Sequence, residues 1–170
     1  LHLISAKNNS ACANQENSMA RSSYVYVCYI RTTPDKLWTA LTDAEFMQQY
    51  WFGCHCESEW TAGSSWKNIS PDGDVMDSGE IVEADPPRRL VISWKHQHRP
   101  ELAAEGASLC TMEIEAAGSA VKLSITHTSE EAPSKLIEAV GGGWPKVISN
   151  LKSLLETGSV AVEEAYPAQR

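Results

Sequence analysis

Two histidines, a Cys-His-Cys run, one ambiguous glutamate and six tryptophans are the residues here with chemistry to offer. His96 and His127 each extend an apolar row. In 88–98 one face carries Leu90, Ile92, Trp94, His96 and His98, against Val91, Ser93, Lys95 and Gln97. In 120–128 one face carries Val121, Leu123, Ile125 and His127, against Lys122, Ser124, Thr126 and Thr128. A histidine so placed packs with one ring nitrogen hydrogen-bonded, orients a ligand in an apolar pocket, or ligates a metal. The run Cys54-His55-Cys56 invites a zinc reading, but on a strand the two cysteines share a face and His55 points away. The three cannot close on one ion, and zinc sites separate their cysteines by two to four residues. No metal and no cofactor is expected; the cysteines read as small buried apolar groups.

Glu83 sits in "GEIVEAD", which has apolar residues on both faces. Turned inward, it would have a raised pKa and could act as a base. Glu80, Asp85, Glu113 and Glu115 mostly alternate with apolar residues and read as solvated. Hydrolase, zinc-protease, P-loop and dinucleotide signatures are all missing, so catalysis stays an open question. The tryptophans are Trp38, Trp51, Trp60, Trp66, Trp94 and Trp144. Each buries on the order of 200 Å² and wants a partner for its N–H. They read as core, or as aromatic walls around unfilled space. The candidate cavity set is Trp51, Trp66, Trp94, His96, Met112, His127, Trp144 and Ile148.

These residues need a scaffold. "YVYVCYIR" (24–31) reads as a strand. Two short helices follow: one with Thr33 as N-cap and Pro34 at its first position, the next capped by Asp43. Strand-like segments then run over 54–60, 64–70, 77–85, 88–98, 109–117 and 120–128, with turns between them and a loop over 99–108. Strands and helices are segregated, which predicts an α+β fold built on an antiparallel meander. Each strand has one apolar face, and the apolar C-terminal segment is the available cover.

The chain has 170 residues, 42% hydrophobic and 21% charged, with a net charge of −8. This suits one domain. No basic face exists, so nucleic acid is an unsuitable partner. The apolar runs are too short for a membrane span. Five cysteines at irregular spacing fit a reducing, cytoplasmic setting better than a disulfide framework. Residues 1–18 are polar and lack the apolar stretch of a secretory signal. They are expected to be a disordered or non-native tail, with Met19 the natural start, a single domain over 19–158 and a polar tail over 159–170.

"YVYVCYIRTTPDKLWTALTDAEFMQQYWFG", "GEIVEADPPRRLVISW" and "GGGWPKVISNLKSLLETG" together resemble the SRPBCC (START/Bet v-like) superfamily. Within it, they are most similar to the bacterial branch related to the activator of the 90-kDa heat-shock protein ATPase. The resemblance covers about residues 24–158. It implies a helix-grip fold: a seven-stranded antiparallel sheet wrapped around a long C-terminal helix, with two short helices after the first strand. It also implies a cavity for a hydrophobic or amphipathic small molecule. Alternatives on the same scaffold are an enzyme of the cyclase, dehydratase or hydrolase type and a co-chaperone-like activator of a chaperone ATPase. A homodimer, through exposed strand faces or the 99–108 loop, is compatible with the sequence.

In "GGGWPKVISNLKSLLETG" the apolar positions Leu136, Val140, Trp144, Val147/Ile148, Leu151 and Leu154/Leu155 keep helical register through three glycines and a proline. Pro145 lacks an N–H and crowds the carbonyl of Gly141. The expectation is a short helix near 134–140, a break at 141–143, and a main helix over about 144–157.

Overall fold

The computed structural model describes residues 21–164. Strand β1 (Ser22–Ile30) is followed by helices α1 (Pro34–Thr42) and α2 (Ala44–Tyr50). Next come β2 (His55–Ser58), β3 (Ser65–Ile69), β4 (Val75–Asp85), β5 (Arg89–His96), α3 (Pro100–Ala103), β6 (Ser108–Ala117), β7 (Ala120–Ser129) and α4 (Lys135–Thr157). The seven strands form one antiparallel sheet in the order β1-β7-β6-β5-β4-β3-β2. The chain lays down one edge, crosses by α1 and α2 to the other, and meanders back until β7 lies beside β1. The fold is the helix-grip α+β architecture, with α4 against the sheet. Residues 1–18, and the tail beyond 164, fall outside the described residues.

Local chemistry sets the two short helices. Thr33 Oγ1 accepts from the Lys36 amide at 3.3 Å, and Pro34 opens α1. Asp43 Oδ1 accepts from the Phe46 amide at 2.7 Å, so one residue ends α1 and caps α2. The loop expected over 99–108 contains α3, because Pro100 suits a first helical turn and Leu102 is buried beneath it. The 88–98 strand stops at His96, leaving His98 exposed beyond its end. The face assignments hold for β7. On β5, Val91 keeps the outer face but is buried there instead of wet, flanked across the sheet by Glu83 and Thr111. On β1 the outer face leaves Val25, Val27 and Tyr29 exposed.

The expected break at 141–143 does not occur: α4 is continuous from Lys135 to Thr157, with Pro145 inside it. A mid-helix glycine costs about 1 kcal/mol and an interior proline about 3 kcal/mol. Those penalties are smaller than what the unbroken apolar stripe gains. Leu136, Ile137, Trp144, Val147, Ile148 and Leu151 are all buried, each contributing about 2 kcal/mol or more. A break would rotate half of that stripe off the sheet. Glycine also serves packing here, since a Cβ on Gly141 would lie 3.1 Å from Cδ2 of Tyr24.

Both ends of α4 are anchored. Ser134 Oγ accepts from the Ile137 amide at 3.1 Å and donates to Glu105 Oε2 at 2.6 Å. The Lys135 amide donates to Glu105 Oε1 at 2.7 Å. The helix ends at Gly158, φ 82°, where a residue without Cβ adopts the left-handed turn at no steric cost. The chain then stays docked, because the Ala161 and Val162 amides donate to Oδ1 of the buried Asn150 at 3.0 and 2.7 Å.

Candidate functional site

Strand register assembles a polar row on the inner face. Asn68 of β3 lies opposite Asp77 of β4, and Asp77 lies opposite His96 of β5. Directly opposed residues in an antiparallel pair bring their side chains together. His96 Nδ1 donates to Asp77 Oδ1 at 2.7 Å, and Asn68 Nδ2 donates to Asp77 Oδ2 at 3.1 Å. The Asp77 and His96 side chains are only 10% and 12% exposed, so this is an interior pair. The Asn68 Oδ1 and His96 Nε2 atoms find no hydrogen-bond partner among the described residues. An unmet buried polar atom costs about 1–3 kcal/mol.

The row borders a cavity of about 430 Å³ between the sheet and α4. Trp51 and Phe52 enter from the end of α2, Trp94 from β5, and Val140, Gly143 and Trp144 from α4. The Trp51, Trp94 and Trp144 rings form one wall, with centroids 5.6 to 6.4 Å apart. Trp144 Nε1 is a third buried polar atom of the cavity-lining side chains without a partner among the described residues. Phe52 holds φ 52°, a strained backbone for a bulky side chain that turns the chain from α2 into β2. Arg99, paired with Glu101 at 2.8 Å, and Lys146 put positive charge on the cavity wall. Cys54 also lines it. Burial, then the Asp77 carboxylate, push its thiol pKa up, so Cys54 is a protonated, poor nucleophile.

The sequence candidates divide by place. Trp51, Trp94, His96 and Trp144 line the cavity. Trp66, Met112 and Ile148 face a neighbouring space of about 10 Å³, which is closed packing with room for no more than one water. His127 lines neither space. It is fully buried against Trp94, with ring centroids 5.4 Å apart, and its Nε2 lies 2.7 Å from Ser108 Oγ. Ser108 Oγ in turn donates to the Trp94 carbonyl at 3.1 Å, so His127 Nε2 carries the proton and donates to Ser108. Burial pulls the His127 pKa down to about 4. His127 is a neutral packing residue.

The inward Glu83 is corrected. Glu83 lies on the outer face, paired with Arg89 at 3.1 Å, and Arg89 also bonds Glu113 at 2.6 Å. Register puts Glu83 opposite Val91, on the face away from α4. The sequence reading missed Asp77, although alternation with the buried Ile81 through Gly79 places it inward. In the Cys-His-Cys run, Cys56 is buried, while the His55 ring meets Gln48 and Glu57 at 3.2 and 3.4 Å. Among the described residues no three His, Cys, Asp or Glu side chains gather as a metal site.

The family of activator of Hsp90 ATPase homolog 1-like proteins matches residues 31–156, from the end of β1 through almost all of α4. The chain belongs to that family. The chain also shares its fold with solved structures. CalU16 from Micromonospora echinospora aligns with a TM-score of 0.64 at 20% identity, over 80% of this chain and 77% of that one. An HSP90 activator from Plasmodium falciparum aligns at 0.64 and 23% identity, over 78% and 95%. The Aha1 dimer protein from Colwellia psychrerythraea aligns at 0.65 and 17% identity, over 81% and 98%. No curated protein matches. Among the described residues, no helix is long and apolar enough to cross a membrane.

Proposed function

We propose that this protein binds an amphipathic small molecule between the sheet and α4. The apolar part packs on Trp51, Trp94 and Trp144, and the polar part meets the Asn68–Asp77–His96 row. One observation carries the reading: a cavity of about 430 Å³, within the size range of small-molecule sites, whose largely apolar wall includes a buried row with unmet hydrogen-bonding atoms.

Gly143 supplies the test. It lines the cavity, and a Cβ there meets nothing within 4 Å. Gly143→Leu therefore carries a side chain into the cavity from a position where its Cβ meets no neighbour. Native mass spectrometry of freshly purified protein should reveal a bound molecule, and a fluorescent fatty-acid analogue should be retained. Both signals should disappear in Gly143→Leu while its thermal unfolding stays cooperative. Equal dye uptake by the two proteins would refute the site.

Family membership supports a second reading, activation of an Hsp90-type chaperone ATPase. Added to that purified chaperone, the protein should raise the ATPase rate. An unchanged rate over a wide range of ratios removes this reading and leaves the cavity reading intact.

A further inference from the structure

The unmet atoms around the cavity specify more than an apolar guest. Asp77 is held as an acceptor by two N–H groups, His96 Nδ1 on one oxygen and Asn68 Nδ2 on the other. In the tautomer whose Nδ1–H donates to Asp77, the ring lone pair lies on Nε2, and a carboxylate behind an imidazole strengthens that far nitrogen as an acceptor. With Nδ2 committed to Asp77, Asn68 presents Oδ1, a second acceptor. Trp144 Nε1–H is a donor only. Two unmatched acceptors and one unmatched donor therefore sit in side chains that line the cavity, each atom itself buried just behind its surface.

Elimination narrows the matching group. An ammonium would seek a carboxylate, and both Asp77 oxygens already accept hydrogen bonds from His96 Nδ1 and Asn68 Nδ2. A carboxylic acid ionises and then has no hydrogen to give Nε2. An aliphatic alcohol is a weaker donor and has no flat face for the three indole rings. A hydroxyl on an aromatic ring satisfies all three conditions. We propose that this site takes an aromatic ligand bearing a phenolic hydroxyl. That hydroxyl donates to His96 Nε2, Asp77 acts as the residue that positions the imidazole, and Trp144 Nε1–H donates to an oxygen of the same ligand. The proposal rests on the cavity reading above. His96 Nε2 and Trp144 Nε1 both have almost no accessible surface, so seating the hydroxyl moves the cavity wall slightly; Met76 and Leu102 line that wall.

Three probes of nearly equal shape test it by calorimetric titration of the unaltered protein: 2-naphthol, 2-methoxynaphthalene and 2-methylnaphthalene. 2-Naphthol should bind at least about tenfold more tightly than either analogue, despite being the least apolar, because a site built around an O–H rejects ligands lacking it. Asp77→Asn and His96→Phe should bring that ratio to about one, while affinity for 2-methylnaphthalene changes by less than about threefold. A merely structural role for Asp77 would weaken all three probes together and overturn its assignment. The absorption of bound 2-naphthol should shift to the red in the unaltered protein, a readout that does not depend on the variants folding. Affinities for 2-naphthol and its methyl ether within about threefold of each other overturn the hydroxyl assignment and leave the cavity reading standing. No binding by any probe overturns both.

Discussion

The three glycines of α4 allow a graded test of the continuous helix. Gly142 is exposed, and a Cβ added there meets nothing within 4 Å. Gly142→Ala therefore changes helix propensity and unfolded-chain entropy alone. It should stabilise by about 1 kcal/mol, roughly 3 °C in Tm for a domain of this size. Gly143→Ala should gain a similar amount, but its methyl enters the cavity, so affinity for an apolar probe should fall. Gly141→Ala should gain nothing or lose stability, because its Cβ would sit 3.1 and 3.3 Å from two carbons of the Tyr24 ring. The assay is thermal and urea unfolding of the three single variants beside the parent, with dye binding measured on the same samples. The expected Tm order is Gly142→Ala and Gly143→Ala above the parent, with Gly141→Ala at or below it. A fall in Tm for Gly142→Ala would refute the argument, since an alanine is penalised there only if the backbone leaves helical geometry.

Other expectations follow from the interior. The folded-state pKa of His127, about 4, lies below the ordinary value of 6.5; the unfolded chain therefore takes up a proton first as pH falls. Stability present above pH 6.5 should decline towards pH 4, by at most about 1.4 kcal/mol per pH unit. In urea titrations across pH, His127→Gln should lose that slope whatever its absolute stability. Gly79→Ala should destabilise by more than about 3 kcal/mol, because the new Cβ would lie 1.8 Å from the Ser93 carbonyl oxygen and 2.8 Å from Trp66 Nε1. That variant would also lose the 2.8 Å bond from Trp66 Nε1 to Ser93; circular dichroism melting showing a parent-like Tm would contradict this. For Glu105, burial alone would raise the carboxyl, but bonds from Ser134 Oγ and the Lys135 and Leu136 amides outweigh it and hold the pKa below the usual value. Its contribution is present above the unfolded value and lost as pH falls through the folded one. Glu105→Gln should cost about 1 kcal/mol, with faster amide exchange confined to the first turn of α4.

Local signals were legible in sequence where the residue carries its own instruction. Thr33, Pro34 and Asp43 fix the short helices through caps and a preset φ, and need no distant partner. Alternation in β7 placed Val121, Leu123 and Ile125 inward because a strand has a period of two. Aromatic density near the convergence of α2, β5 and α4 pointed to Trp51, Trp94 and Trp144. The sequence also determined that α4 has one apolar stripe, since Leu136 through Leu151 keep helical register. Whether that stripe breaks at the glycines was decided by competition: local chemistry favours a break, and burial against the sheet is worth more. Tertiary structure alone decided which polar residue His96 meets. The pairing with Asp77 spans 19 residues and depends on the register of β4 against β5, where a slip of one residue would move Asp77 to the solvent face. The same register turned Glu83 outward to Arg89, and chain crossing left His127 in the packed interior instead of at the cavity. Periodicity tells which way a side chain faces along its own strand, but only the alignment of neighbouring strands brings two such side chains within a hydrogen bond of each other.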